Sequence, residues 1–529
     1  MRMSFLSNNF MKNIKNNFFV ILLACLGLGG FLVTWISTPW GVRAGYDSLF
    51  YLTAAQNVLK GLGLSRLMAE GTVIPLTHFP PLYSLVVAGF SFLVNGDILL
   101  STRWTAVLIF GINIVLFGYL CYRYSQSKLA GILGAVFCLF SPILLNVNIS
   151  AFSEGLYIAL LLPAFFFINE SLTYLKWRYL FIAAVFSALC CLTRYVGITV
   201  ILTGLLAILF LSRLSLKKKI WAASLFSFVS SLPIAFWYFR NWILTGSMTN
   251  RVFAVHLPGK VDLYEALNTV TNWIFPETLS FLVRLGGWVV VFVFVGLVAF
   301  KWGRPLMKSG RLLEEPSLRL VLLLILHEGL YLFSLLVSRS FFDSSTQWEQ
   351  RILSPLYIIS ALLTLIVLWN GLHLERYNWR KIILVALLLL LFISYLPISI
   401  DFLSKSYTEG FGFTGLAWQN SPTMQILKHF PPDSLFYSNN ATAIYFVLGK
   451  PANGIPERYD SVKAQARSDY KENLTRMRQQ LQQSKSALVI FNPYRNVPEY
   501  PSLDELTDGL EVYEKTKDGT VYVTPNKNP

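Results

Sequence analysis

GYDSLFYLTAAQNVLKGLGLS (45–65) and THFPPLYSL (77–85) carry the first long polar interruption, Thr38 to Pro81, of an otherwise apolar chain. The interruption leaves one apolar run, Phe18–Ile36, and re-enters another at Pro80-Pro81. Asp47 stands at the mouth of the first run, where a carboxylate is expensive to hold unless it has a function. Ser48–Lys60 reads as an amphipathic helix with Leu49, Leu52, Ala55 and Val58 on one side. Gly61-Leu62-Gly63 ends it, a pattern that fits a helix lying in the membrane interface.

Around this stretch the composition is that of a membrane protein. Of 529 residues 54% are hydrophobic and only 14% charged, with a mean hydropathy of +0.54. A soluble protein carries roughly 25% charged residues, and several runs here reach the ~20 residues that cross a bilayer as helix. The first run is too long for a cleaved leader and lacks a small-x-small site. The net charge of +16 is read as topology, because cytoplasmic loops collect Lys and Arg. No aromatic-basic repeat or base-reading motif accompanies it, which excludes a nucleic-acid partner. The five cysteines lie in or beside apolar runs and imply neither a disulfide framework nor a zinc site.

Taking Arg2, Lys12 and Lys15 as cytoplasmic, the chain threads outward through Phe18–Ile36 and back through Tyr83–Val94. It continues out through Trp104–Leu120, in through Leu129–Leu145 and out through Gly155–Asn169. Phe181–Leu211 reads as two short helices broken near Thr193-Arg194 that make one net crossing. That parity keeps Arg213 and Lys217-Lys218-Lys219 cytoplasmic. Trp221–Tyr238, Leu282–Phe300, Leu320–Val337, Leu353–Trp369 and Ile382–Ile398 follow, with Arg376, Arg380 and Lys381 marking a last cytoplasmic turn. The predicted fold is an all-α polytopic membrane bundle of about eleven transmembrane helices over 1–400, with long exterior loops at 38–81 and 240–278. A small C-terminal α/β exterior domain over 401–529 completes it. There SLFYSN and Ala487–Phe491 read as strands, Thr442–Leu448 and Lys463–Ser484 as helices, and Leu510–Val523 as a hairpin turned at Asp518-Gly519.

Several groups could do chemistry. Asp47 reads either as a helix N-cap or as the base that deprotonates an acceptor hydroxyl. Arg194 sits mid-run in LTRYVG, where an unpaired cation is costly. It is either a partner for a buried acid such as Glu154 or a fork for phosphate oxygens. Arg240 leaves a span as an interface anchor or a phosphate contact. The loop SRSFFDSSTQWEQRILSP (338–355) offers Asp343, Glu349 and Arg351, and His78 precedes Phe79-Pro80-Pro81. His327-Glu328 lacks the second histidine of HExxH and reads as an internal hydrogen-bonded pair. No phosphate-binding GxxxxGK[ST] or GxGxxG loop occurs.

Asp47-Ser48-Leu49-Phe50-Tyr51, the helix after it, and His78-Phe79-Pro80-Pro81-Leu82-Tyr83 together resemble the first external loop of GT-C glycosyltransferases. The resemblance is to the branch of protein O-mannosyltransferases and lipid A aminoarabinose transferases. Thr193-Arg194-Tyr195-Val196-Gly197, Arg240-Asn241-Trp242 and Arg351 with Ser354-Pro355 extend it. Trp418 to Pro422, Tyr437 to Asn440 and Ala443-Ile444-Tyr445 carry it through the exterior tail. It implies an inverting transfer at the exterior face of the plasma membrane, from a polyprenyl-phosphate-linked sugar to a lipid, protein or glycan acceptor. Asp47 takes the position of the family's loop aspartate; Tyr51, His78, Arg194, Arg240, Asp343 and Arg351 are read as substrate and phosphate contacts. No cofactor is implied; a divalent metal is compatible but not demanded. Ser48 stands where mannosyltransferases carry Glu. His78-Phe79-Pro80 stands where the aminoarabinose branch has Glu-Lys-Pro, leaving Arg194, Arg43 or Arg66 to supply the charge. The alternatives are a transporter or lipid flippase, which the lack of an inverted repeat disfavours, and a non-catalytic scaffold of the same fold.

Overall fold

A computed structural model describes residues 2–67, 72–174, 176–373, 379–482, 485–494 and 497–525. Among them, eight helices are long and apolar enough to cross a membrane, from Asn17–Ser37 to Val385–Thr408. A ninth passage is the pair Lys128–Phe140 and Pro142–Asn148, bent by 61°. Two shorter apolar helices, Trp177–Thr193 and Tyr195–Leu211, also run from end to end.

The two ends of the bundle are defined by polar contacts. At one, the Arg43 amide donates to the Ile149 carbonyl at 2.9 Å and Arg194 pairs with Glu154. At the other, Arg123 pairs with Glu170 at 3.1 Å and Arg319 Nε donates to Asn169 Oδ1 at 2.9 Å. Glu154–Tyr174 therefore runs away from the Asp47 end, and Trp177–Thr193 returns to it, with Phe167 and Phe186 stacked midway at 5.8 Å. Beyond Arg194 the chain turns back: Thr203 meets His327 halfway, and Arg213 meets Glu314 and the Gly310 carbonyl at the far end.

Two threading expectations are corrected; together they reverse the three spans between them, Trp104–Leu120, Leu129–Leu145 and Gly155–Asn169, and cancel by Arg213. Phe181–Leu211 breaks at Arg194 as read, but its arms are two crossings rather than one. The stretch Tyr83–Val94 does not cross. Its helix, Leu82–Ser91, has 10 residues, about 15 Å of rise against a hydrocarbon core of roughly 30 Å. Both its ends stay at the Asp47 end: Tyr83 packs edge-on against Tyr51 at 5.1 Å. Ser101 Oγ, just into the next helix, donates to the Val87 carbonyl at 2.5 Å. In that same helix Arg103 reaches the Trp35 carbonyl at 2.5 Å. Eleven passages result among the described residues, with the parity that puts Arg213 and Lys217 at the end opposite Asp47. Arg376 lies outside the described residues, as do the last two residues of the helix read at Lys463–Ser484, which is observed as Tyr470–Leu481.

The first loop forms helix Tyr46–Leu59, a two-stranded ribbon of Ser65–Leu67 with Val73–Pro75, and helix Leu82–Ser91. The former helix is more buried than an interfacial one, with Tyr51, Leu52, Ala54 and Ala55 all packed inside. The chain leaves the bundle at Thr408 and enters a five-stranded sheet ordered Ala452–Gly454, Leu435–Ser438, Ser486–Phe491, Gly519–Val523 and Glu511–Lys515. The first two pairings are parallel and the last two antiparallel. Phe436, Ile444, Val489 and Val521 fill its core. His327 and Glu328 do not pair with each other: His327 Nδ1 lies 3.1 Å from Thr203 Oγ1, and Ser360 Oγ donates to Glu328 at 2.6 Å.

The reversal at Arg194 depends on Gly197. A Cβ there would lie 2.4–2.6 Å from the Cys191 nitrogen and the Cys190 carbonyl group, all backbone atoms that cannot swing away. Gly197→Ala is expected to destabilise the protein by about 1–3 kcal/mol, the usual range for overpacking. The measurement is thermal unfolding of the detergent-solubilised protein.

Candidate active site

Asp47 is aimed by a capped helix start. Gly45 is the N-cap, and its amide donates to Ser48 Oγ at 2.9 Å. Ser48 is wholly buried, which gives the residue after Asp47 a positioning role in place of the expected Glu. Asp47 is thus not the cap. It lies in the first turn, where the exposed N–H groups of the helix favour a carboxylate, and its side chain points off the helix.

There it meets Arg351, whose Nη1 donates to Asp47 Oδ2 at 2.7 Å. The same guanidinium lies over the Phe152 ring at 4.6 Å, with its Nε 3.2 Å from Glu349 and 3.6 Å from Glu154. Glu154, 1% exposed, forms the ion pair with Arg194. Arg194 Nη1 donates to Ser153 Oγ at 3.3 Å, and that oxygen lies 3.1 Å from the Tyr51 hydroxyl. The members come from helix starts and breaks: Asp47 from Tyr46–Leu59, Glu154 from the start of Glu154–Tyr174, Arg194 from the Thr193/Tyr195 break, and Arg351 from the start of Gln350–His373. These are the places where a span reaches the polar boundary, so charge can be held without crossing hydrocarbon.

Two cavities flank this network. One, of about 570 Å³, is lined by Asp47, Tyr51, His78, Arg194, Asp343 and Arg351, and also by Tyr195, Tyr238, Arg251 and Glu349. The other, of about 460 Å³, lies on the far side of Asp47, Glu349 and Arg351 and is lined by Arg43, Tyr46, Asn146, Ser150, Phe152 and Gln350. Asp47 belongs to both walls.

Six of the seven residues singled out from sequence therefore share the first cavity. Arg240 does not line it. Its guanidinium donates to the Leu76 carbonyl at 2.7 Å and the Leu64 carbonyl at 2.5 Å and lies over Trp237. It ties the first loop to helix Leu216–Thr245. Arg66 lies over Phe50, and Arg43 faces the second cavity. Asp343 accepts from the Ser345 amide and hydroxyl at 3.0 and 2.6 Å, a turn built from its own loop. Sequence reasoning missed Arg251, which lies in an extended segment without a motif. Its Nη1 is 3.5 Å from Ser338 Oγ, and its Nε is buried without a hydrogen-bond partner. No local signal marks it: RVFAVHL (251–257) does not alternate polar with apolar, and the adjacent Val252 and Phe253 are both exposed. Burial, with the Arg251 and Arg66 charges, pushes the His78 imidazole down to about 4, so it is neutral at neutral pH. Among the described residues no three His, Cys, Asp or Glu side chains gather as a metal-binding group.

Residues 78–237 match the family described as dolichyl-phosphate-mannose-protein mannosyltransferase. The fold is similar to ArnT from Cupriavidus metallidurans in the apo state, with a TM-score of 0.56 and 13% identity over 97% of this chain and 100% of that one. ArnT bound to undecaprenyl phosphate is similar at a TM-score of 0.52 and 15% identity, over 96% and 99%. The oligosaccharyltransferase AglB from Archaeoglobus fulgidus, in complex with an inhibitory peptide and a dolichol-phosphate, gives 0.53 and 14%, over 90% and 70%. No curated protein sequence matches the chain. The chain thus shares the fold of ArnT and AglB, carries a mannosyltransferase family segment over 160 of its 529 residues, and is multi-pass in the membrane.

Two outcomes follow from the charges. Arg194→Gln leaves Glu154 buried without its partner and is expected to cost about 3–5 kcal/mol, most of it recovered in Arg194→Gln/Glu154→Gln; thermal unfolding of both variants checks this. His78 is held below its unfolded value, so the unfolded chain binds the extra proton between about 6.5 and about 4. Stability must fall as pH drops through that window. Wild type should therefore lose more thermal stability than His78→Asn between pH 7.5 and 5.

Proposed function

We propose that this protein transfers a sugar from a polyprenyl-phosphate donor to an acceptor hydroxyl with inversion, and that Asp47 is the base. The observation that carries the reading is the place of Asp47 in the wall shared by two cavities, one of them bordered by Arg194 and Arg251. The donor phosphate and its sugar occupy the larger cavity, and the acceptor approaches through the smaller. Arg194, whose Nη1 serves both Glu154 and Ser153, and Arg251, with no acid against it among the described residues, face the phosphate. Their fixed positive charges offset the negative charge that grows on the departing oxygens. Tyr51, His78, Asp343 and Arg351 shape the sugar subsite, while Arg240 acts at one remove by holding the loop.

In the step itself, the acceptor oxygen forms a bond to the anomeric carbon while its proton passes to Asp47. The bond from that carbon to the phosphate oxygen breaks, and the polyprenyl phosphate leaves with the electron pair. The leaving group is already anionic and needs no acid, and the scheme uses no metal. Attack opposite the leaving phosphate inverts the configuration. The solved relatives with undecaprenyl phosphate and dolichol-phosphate support a polyprenyl-phosphate donor.

The orientation follows from charge. Arg123, Arg213, Lys217, Lys218 and Lys219 gather at the end opposite Asp47, so by the positive-inside rule the reaction faces the exterior and the strand-containing region lies outside the plasma membrane. The acceptor class is a lipid, protein or glycan bearing a free hydroxyl.

The test is transfer of radiolabelled sugar from polyprenyl-phosphate donors by purified protein. Asp47→Asn keeps the shape and removes the base, and is expected to lower turnover by about 10²–10⁴-fold while undecaprenyl phosphate still binds. Equal turnover by the two forms would overturn the assignment.

A further inference from the structure

At the end of the bundle opposite Asp47, a separate cavity of about 130 Å³ opens between the turn after Glu154–Tyr174, helix Trp177–Thr193 and the start of helix Leu216–Thr245. Leu172, Leu180 and Ile208 form its buried apolar floor. Lys176 and Lys218, both exposed, stand on its rim with Trp177, which is 56% exposed. Its fourth wall is a π-helical turn, Ala207–Leu211. Such widened turns strand a carbonyl and recur at functional positions; here Lys219 Nζ covers the Leu209 carbonyl at 2.8 Å. The nearby acids Glu170 and Glu314 are engaged by Arg123 and Arg213.

We propose that this cavity is a binding site for an anionic glycerophospholipid of the surrounding leaflet. The lipid phosphate sits between Lys176 and Lys218, and the start of an acyl chain lies on Leu180 and Ile208. Three features choose this occupant. The rim is cationic and the floor apolar, which matches a phosphodiester joined to a chain. The site opens where membrane spans end, at headgroup depth. Trp177 supplies the amphipathic ring that favours that depth, and basic pockets between spans are a recurrent way to hold acidic headgroups. The lipid would fasten the two short arms, Trp177–Thr193 and Tyr195–Leu211, at the end away from the Arg194 break. The site is independent of the sugar-transfer reading, because it shares no residue with the two cavities at Asp47.

The experiment is native mass spectrometry of the full chain in an uncharged detergent. Phosphatidylglycerol, phosphatidylcholine of the same acyl chains, or glycerol phosphate is added. Wild type is expected to retain phosphatidylglycerol in preference to phosphatidylcholine and to show no saturable glycerol phosphate. Lys176→Gln/Lys218→Gln should weaken phosphatidylglycerol retention about fivefold per lysine, while Lys60→Gln, a neutralised lysine at the other end, leaves it unchanged. Equal retention of the two lipids, undiminished retention by the double variant, or saturation by glycerol phosphate alone would each overturn the proposal. If the double variant fails to fold, wild type with a photoactivatable acyl chain decides. Crosslinks confined to 172–180 and 208–222 support the site, and crosslinks at the Arg194 break or scattered over the bundle refute it.

Discussion

The Arg351 guanidinium, held between Asp47, Glu349 and Glu154, is the contact on which the site depends. It joins the first loop to the start of Gln350–His373, a connection across 304 residues of chain. Through Glu154 it is coupled to Arg194 and so to the only point where a membrane passage breaks and reverses among the described residues near the site. Glu154 is 1% exposed, so removing Arg194 or Arg351 strips a buried carboxylate of one of its two cations, a penalty of several kcal/mol. The network therefore fixes where Asp47 stands, and the two cavities are defined by which side of it they lie on.

The C-terminal domain is fastened to the same region. The Phe413 amide donates to the Ala44 carbonyl at 2.9 Å, three residues before Asp47. Gly412, with φ +62°, makes that approach possible, since a Cβ there would lie 2.0 Å from the Ala44 oxygen. The Tyr46 hydroxyl donates to Asn440 at 3.1 Å, and the Ser344 amide to the Val462 carbonyl at 3.1 Å. The domain thus braces both loops that carry acids into the site, Asp47 on one and Asp343 with Glu349 on the other.

Much of this was legible in sequence, for identifiable reasons. Asp47 and Arg194 stood out because charge beside apolar runs is expensive, and Arg351 through its place before Ser354-Pro355; their clustering follows from each marking the end of a span. The strands Leu435–Ser438 and Ser486–Phe491 announced themselves as short β-branched or aromatic runs bounded by turn residues. The passage count came out at eleven while two passages were misassigned. A ten-residue apolar helix and a half-length arm look alike to a hydropathy reading, and only long-range contacts such as Ser101 with Val87 separate them. Arg240 was misplaced because an arginine at a span exit reads the same whether it faces a ligand or two backbone carbonyls. Arg251 escaped because nothing local marks a cation whose surroundings are assembled from distant segments.

The most direct measurement is a structure of the full chain with a polyprenyl phosphate bound. The account predicts the lipid phosphate in the larger cavity, within hydrogen-bonding distance of Arg194 or Arg251, with the Asp47 carboxylate between it and the smaller cavity. A phosphate seated away from that cavity, or an Asp47 screened from it by Arg351 and Glu349, would contradict it.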